Sequence, residues 1–332
     1  MSRRLGWRWP LYLGIALGLM AVAAPRTSLN PRSLLPDMVR GTAWRPYVKR
    51  ALVGVMVRAA DSVIPARARD ALRDRVESTP LLRERLGWEP AHATWFALVF
   101  LIHLVSLMIF AAALARWLAL SLELGPVPAI LVAAAGLALL PLHFGYQNFI
   151  YDFPGLALFT LGLVFLWERR WTAFYVLWPL GILNKETFVL LACVFFVREW
   201  RVMARGVLVR HLAAQAAVTL AVALTLGWVF RANPGPPLEW HLMRNLSLRP
   251  PPRQLVHDAV YWGFVAFAFF GWKEKRPLAG ATLAVGGVLL ATTLFFGFLG
   301  EYRDFYEAWP LLAAMAVHSA RSGWARVRRA AA

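Results

Sequence analysis

"GILNKETFVLL", Gly181–Leu191, decides how this chain is read. Asn184, Lys185 and Glu186 stand together in the middle of an otherwise apolar run from Thr172 to Val197. A charge inside a membrane-length run costs about 3 kcal/mol or more unless it reaches water or a partner. Two readings satisfy that rule. One is a single kinked helix that carries Lys185 and Glu186 as a pair inside a bundle. The other is two short helices, 172–183 and 187–197, joined by a turn at Asn184–Glu186. The flanks favour the turn. Arg169–Arg170 precede the run, and Arg198, Arg201, Arg205 and Arg210 follow it. Basic loop residues stay on the cytoplasmic side of a membrane, so an even number of crossings joins the two groups. Each half reaches only about 18 Å at 1.5 Å per residue. The turn is therefore expected in a recess on the outer side, where irregular backbone is tolerated against protein or a water-filled cavity.

The composition supports this reading. The 332 residues are 59% hydrophobic and 16% charged, whereas a soluble domain carries about 25% charged residues. The apolar runs are continuous, without the alternation of a transmembrane β-barrel. We expect an all-α, polytopic transmembrane helical bundle, 1–332 forming a single integral membrane domain. Helices are expected near 9–24, 93–115, 126–144, 149–167, 172–183, 187–197, 211–230, 258–272, 277–299 and 305–318, about ten in all. With the N-terminus inside, the inner segments hold 17 basic residues and the outer segments beyond the first loop hold six. The inner set comprises Arg3, Arg4, Arg8, Arg116, Arg169, Arg170, Arg198–Arg210, Lys273, Lys275, Arg276 and Arg321–Arg329. Both termini are then cytoplasmic. The start of the chain, through "AVAAP" (Ala21–Pro25), also resembles a signal peptide with a small-residue cleavage site.

The net charge of +18 would point to nucleic acid in a soluble protein. Here the basic residues lie beside membrane segments, which makes anionic lipids the expected partner; no nucleic-acid motif is present. The one cysteine, Cys193, lies in an apolar helix and offers neither a disulfide nor a metal site.

Residues 25–92 form a large outer loop. Within "GTAWRPYVKRALVGVMVRAAD" (Gly41–Asp61) and just beyond it, Val48, Leu52, Val55, Ala59 and Val63 share one helical face, and Arg50, Gly54, Arg58 and Asp61 share the other. This spacing predicts an amphipathic interfacial helix, followed after Pro65 by a solvated one over Ala66–Ser78. Asp37 is the first acid after the first span and a candidate base. Arg45, extended before Pro46, is a candidate phosphate fork.

Three further polar clusters fall on the same outer side. "FGYQNFIYDFPGLAL" (Phe144–Leu158) gathers Gln147, Asn148 and Asp152 ahead of Pro154, where Asp152 suits a helix N-terminus. Asn184–Glu186 is the second. "GEYRDFYEAWPLL" (Gly300–Leu312) is the third; if α-helical, it pairs Arg303 with Glu307 at i,i+4 and sets Glu301 and Asp304 one turn apart. The topology came from lysine and arginine alone, so acids and amides meeting on one side is independent support for an outward cavity lined by Asp37, Asp152, Lys185, Glu186, Glu301 and Arg303. The Pro-rich outer loop 231–257 is long enough to lie over it. His143 is a better site candidate than His103, and His241 and His257 are expected at solvent or interface. No metal-protease, P-loop or Rossmann motif appears.

"WRPYVKRAL" (Trp44–Leu52), "YDFPGLALF" (Tyr151–Phe159), "LNKETFVLL" (Leu183–Leu191) and "EYRDFYEAWPLL" (Glu301–Leu312) resemble motifs of bacterial GT-C glycosyltransferases. That resemblance implies a cytoplasmic-membrane enzyme that uses a polyprenyl-phosphate-linked sugar donor on the outer side. It implies Asp37 at the place of the loop-1 catalytic acid and Lys185 at the donor-phosphate turn; loop 1 here lacks the paired acids common in that family. Read from the residues, Asp37 or Asp152 would take the acceptor proton. Lys185, Arg303 and Arg45 would meet the phosphate, with Glu186 and Glu301 as substrate contacts. The acids leave room for a divalent cation, which nothing demands. The alternative is a non-enzymatic lipid-linked-sugar flippase or small-solute transporter, whose charged site would sit near mid-membrane.

Overall fold

The computed structural model describes residues 6–27, 29–143, 147–247 and 252–331. Arg3, Arg4, Phe144 and Arg249, and the side chains of Arg253, Arg326 and Arg329, lie outside what is described. The chain is all-helical: α1 (Arg8–Ala23), α2 (Leu35–Arg40), α3 (Leu52–Val63), α4 (Ala66–Ser78), α5 (Ala93–Leu122), α6 (Pro126–Ala138), α7 (Asp152–Trp167), α8 (Trp171–Asn184), α9 (Leu191–Glu199), α10 (Arg205–Val229), α11 (Leu242–Leu246), α12 (Pro252–Phe269), α13 (Arg276–Phe296) and α14 (Trp309–Ala331). Among the described residues the β contact is a single parallel bridge, Thr27 to Asn148.

Among the described residues five helical segments are long and apolar enough to cross a membrane: Arg8–Arg26, Pro90–Leu122, Pro126–His143, Arg205–Val229 and Trp272–Phe296. These five fall short of the bundle of about ten helices, some of them short or broken, that the sequence led us to expect. The other expected helices exist, but α7, α8 and α9 are too short, at about 24, 21 and 14 Å by their residue counts. α12 opens on polar residues, and α14 turns basic after its first half. A bilayer suits the surface of α10, where Leu220, Leu224 and Trp228 are all well exposed; contiguous apolar surface of that kind is unsuited to water.

α5 is the central pillar and packs against α1, α6 and α7. Its buried stripe, Phe110, Ala111, Leu114 and Trp117, has helical spacing. α12, α13 and α14 form a second group, joined through Lys275. Its Nζ donates to the carbonyls of Ala268 and Met315, both at 2.9 Å, and to Ser319 Oγ.

The opening stretch forms the tip of a helical hairpin. α8 ends at Asn184, Lys185 is extended (φ −160°, ψ 131°), and a 3₁₀ turn over Glu186–Leu190 leads into α9. The start of α8 and the end of α9 return to the same end. Trp171 meets Phe195 at 6.0 Å between ring centroids, and Arg169 pairs with Glu199 at 3.0 Å. Gly181 makes the tip close: a Cβ there would lie 2.3 Å from the Phe188 ring. The single kinked helix is excluded by these contacts.

The long loop 25–92 keeps its two helices but presents them differently. In α3 the buried residues are Val53, Gly54 and Val57. Val55, Met56 and Val63 face outward, so part of the expected apolar face is the free one. Gly54 is buried because a Cβ there would lie 2.7 Å from the Met38 carbonyl oxygen of α2; the lack of a side chain, which placed it with the polar residues in the sequence, is what brings it against the core. α4 is exposed apart from buried Val76 and half-buried Leu72.

Candidate functional site

The two ends of α7 carry two separate charged networks. At its end, Arg116 reaches Glu168 at 2.6 Å, Arg170 lies 3.7 Å from the same carboxyl, and Arg198 donates to Trp167 O at 3.2 Å. This network ties Arg116 of α5 and Arg198 of α9 to the end of α7. The candidate site is the network at the other end.

It is built on the start of α7. The carboxyl Oδ2 of Asp152 accepts the Phe149 N–H at 2.8 Å, which fixes the turn that opens the helix. Asn148 N–H donates to Arg26 O at 3.0 Å and anchors the preceding segment to the chain leaving α1. From the hairpin tip, Asn184 Nδ2 donates to Tyr151 O at 2.9 Å, and Lys185 Nζ lies 3.1 Å from Glu307 Oε1. Thr187 Oγ1 donates to the same Glu307 oxygen. From the 3₁₀ segment Tyr302–Ala308, Arg303 meets Asp152 at 3.8 Å, Asp304 at 3.9 Å and Glu301 more closely. Asp152, Lys185, Arg303 and Glu307 are all buried.

The expected i,i+4 pair of Arg303 and Glu307 does not form. A 3₁₀ helix has three residues per turn, so positions four apart point in different directions. Arg303 turns to Asp152, and Glu307 turns to Lys185.

Aromatic rings wall the network. Tyr47 from loop 1 stacks on Phe149 at 5.4 Å, and Phe149 stacks on Tyr151 at 5.3 Å. The Arg303 guanidinium covers Phe149 at 4.1 Å, and Arg50 covers Tyr151 at 4.5 Å, cation–π contacts that hold both arginines in place. Tyr306 OH donates to Asn148 Oδ1 at 3.2 Å. His143 is buried among Tyr306, Tyr261 and Trp309, beside the network rather than bonded into it.

Four of the residues singled out in the sequence therefore come together: Asp152, Lys185, Glu301 and Arg303. Glu186 stands at the rim. It is paired with Arg50 through Nε at 3.0 Å while its side chain remains 59% exposed. Partial desolvation alone would push the Glu186 carboxyl up; the Arg50 guanidinium outweighs that and holds it down, at about 2. Asp37 and Arg45 lie apart from the network. Asp37 is half-buried in α2, with Oδ1 3.4 Å from Thr42 Oγ1 and its carbonyl capping the helix end. Arg45 donates to Gly235 O at 2.7 Å, and its N–H donates to Pro234 O at 2.9 Å. With Asn233, which donates to Gly41 O and Ala43 O, it straps the Pro-rich loop onto loop 1. His241 and His257 are half-buried at ring contacts.

Arg50, Tyr47 and Glu307 are the site residues that sequence reasoning assigned elsewhere or passed over. Arg50 looked like the polar face of an amphipathic helix, and only the fold brings it 136 residues along the chain to Glu186.

Several buried polar atoms of the network have no hydrogen-bond partner: Asp152 Oδ1, Glu307 Oε2, Gln147 Oε1, Asn184 Oδ1, Asn148 Nδ2, Lys185 Nζ, and Arg303 Nε and Nη1. Each such atom costs about 1–3 kcal/mol if nothing bonds it. The arrangement can hold a small, many-armed polar ligand, or the water that such a ligand displaces. Among the described residues no group of three or more His, Cys, Asp or Glu side chains is arranged to hold a metal ion. No family model, curated protein or solved structure matches the chain.

Proposed function

We propose that this protein is a membrane glycosyltransferase that moves a sugar from a polyprenyl-phosphate-linked donor to an envelope acceptor on the outer side of the bacterial cytoplasmic membrane. The observation that carries the reading is the set of unpartnered donors and acceptors buried at one end of an apolar bundle. A sugar's hydroxyls both donate and accept, and a lipid-linked sugar places them next to an apolar chain.

In the proposed step the acceptor hydroxyl oxygen attacks the anomeric carbon. The bond from that carbon to the phosphate oxygen breaks, and its electron pair stays on the phosphate. The hydroxyl proton passes to Asp152 Oδ1, the oxygen that is free while Oδ2 holds the Phe149 N–H. Lys185 and Arg303 are the cations available to the departing phosphate. Both now face carboxylates, so donor binding exchanges a carboxylate for a phosphate oxygen. The placement of the network at one end of α7, away from the middle of the helix, favours this reading over a carrier with a mid-membrane site.

The test is transfer of label from polyprenyl-phosphate sugars to an envelope extract by the protein in proteoliposomes. Asp152→Asn and Lys185→Ala are expected to abolish transfer, with Asp37→Asn nearly unchanged. Loss in Asp37→Asn with retention in Asp152→Asn would hand the base role to Asp37; absence of transfer from every donor removes the proposal.

A further inference from the structure

The charge balance of the network carries a more specific conclusion, which rests on the sugar-binding reading above. The side chains joined at its centre are four carboxylates, Asp152, Glu301, Asp304 and Glu307, and two cations, Lys185 and Arg303. Glu186 and Arg50 balance each other at the rim. Acid exceeds base: Asp152 and Glu307 are buried with Lys185 and Arg303, and Glu301 and Asp304, 12% and 23% exposed, add two acids at the edge.

The unpartnered atoms divide the same way. Lys185 Nζ and Arg303 Nη1 lack aligned hydrogen bonds, yet each has carboxylate oxygens within ion-pair distance, from 3.1 to 3.9 Å. Of the atoms with no such partner named, Asp152 Oδ1, Glu307 Oε2, Gln147 Oε1 and Asn184 Oδ1 are acceptors, and Asn148 Nδ2 and Arg303 Nε are donors. Asp152 and Glu307 are themselves almost wholly buried, with side chains 0% and 3% exposed. A neutral sugar supplies acceptors as readily as donors and leaves this imbalance standing. An ammonium group has three donors and no acceptor.

We infer that the sugar this network takes carries a protonated amine, seated against the free oxygen of Glu307, with Asp152 Oδ1 left to the acceptor hydroxyl. The amine also makes the carboxylate exchange workable. As the phosphate takes Lys185, Glu307 gains the ammonium, so the ligand enters without adding net negative charge to an already acidic site.

Binding separates this inference from the transferase reading. The purified full-length protein in nanodiscs is titrated with methyl glucosaminide, methyl N-acetylglucosaminide, methyl glucoside and ethanolamine, followed by saturation-transfer NMR. Methyl glucosaminide is expected to bind at least about tenfold more tightly than the acetylated and hydroxyl sugars, since acetylation removes the charge that strengthens each hydrogen bond. Glu307→Gln is expected to erase that preference; the variant is first checked for a monodisperse profile. Equal binding of all three sugars by the unmodified protein overturns the amine and leaves the sugar site standing. Ethanolamine binding as tightly as methyl glucosaminide supports the ammonium site and removes the sugar. Binding of none overturns the inference.

Discussion

At the residue scale, Lys185 and Glu307 are the pair on which the site turns. Both are buried, and both are held by the same contact, 3.1 Å across two elements far apart in sequence. Removing one partner strands a charge in the interior, which costs about 3–5 kcal/mol. Lys185→Ala is therefore expected to lower stability by that amount in a thermal or denaturant unfolding measurement in detergent. Lys185→Met with Glu307→Leu is expected to recover most of it, because an apolar pair of similar volume needs no compensation. Glu186 makes the contrasting case. Its carboxyl is held below the unfolded value, so its contribution is present above about pH 4.5, the unfolded pKa, and is lost as pH falls through about 2. Its exposure limits that contribution to about 1 kcal/mol or less. Wild type and Glu186→Gln are expected to differ slightly at neutral pH and to converge in acid; divergence on acidification would show that Arg50 is not its partner. The sequence made Asp152 and Lys185 visible because polar residues stand out in apolar runs. It could not show Arg50 reaching Glu186, since nothing local links positions 136 residues apart.

At the scale of the element, the hairpin of α8 and α9 depends on a glycine. The Phe188 ring occupies the place where a Gly181 side chain would be. Gly181→Ala forces either the ring or the tip to move, and overpacking of this kind costs about 1–3 kcal/mol. The substitution is expected to destabilise the protein by that amount, and adding Phe188→Leu to restore part of the loss; an unchanged melting temperature for Gly181→Ala would mean the tip is open. The hairpin was legible because two basic groups flank the polar triplet and an odd number of crossings would separate them. The helix over 302–308 was not. Charges spaced for an α-helix read as an i,i+4 pair, whereas the chain takes a 3₁₀ path and sends Arg303 and Glu307 to separate partners. The outer face of α3 was misplaced for a related reason: periodicity identifies which residues share a face, but not which face meets the protein and which remains free. Gly54, silent in any hydrophobic pattern, decides it by its approach to Met38.

At the scale of the whole molecule, the charges are sorted to two ends of an apolar body. One end holds Arg116, Glu168, Arg169, Arg170, Arg198 and Glu199; the other holds Asp152, Lys185, Glu186, Arg303 and Glu307. α7 separates them by about 24 Å for its 16 residues, less than the ~30 Å of hydrocarbon in an average bilayer. α7, α8 and α9 are thus each shorter than the hydrocarbon layer is thick, and the network at their common end keeps Glu186 exposed while Asp152, Lys185, Arg303 and Glu307 are buried. Membrane topology makes this arrangement testable without any ligand. In a Cys193→Ser background, single cysteines at Arg116, Arg170 and Arg198 are expected to share one side, and cysteines at Asp37 and Glu186 the other. An impermeant thiol reagent applied to intact cells is expected to label Asp37→Cys and Glu186→Cys, and to reach Arg116→Cys and Arg170→Cys only after the cells are opened. The two halves of that result bear on different things. Opposite behaviour of Arg170→Cys and Arg198→Cys would break the hairpin itself, whereas a uniform reversal of all five would keep the fold and move the polar network to the cytoplasmic side, where a lipid-linked donor on the outer leaflet could not reach it.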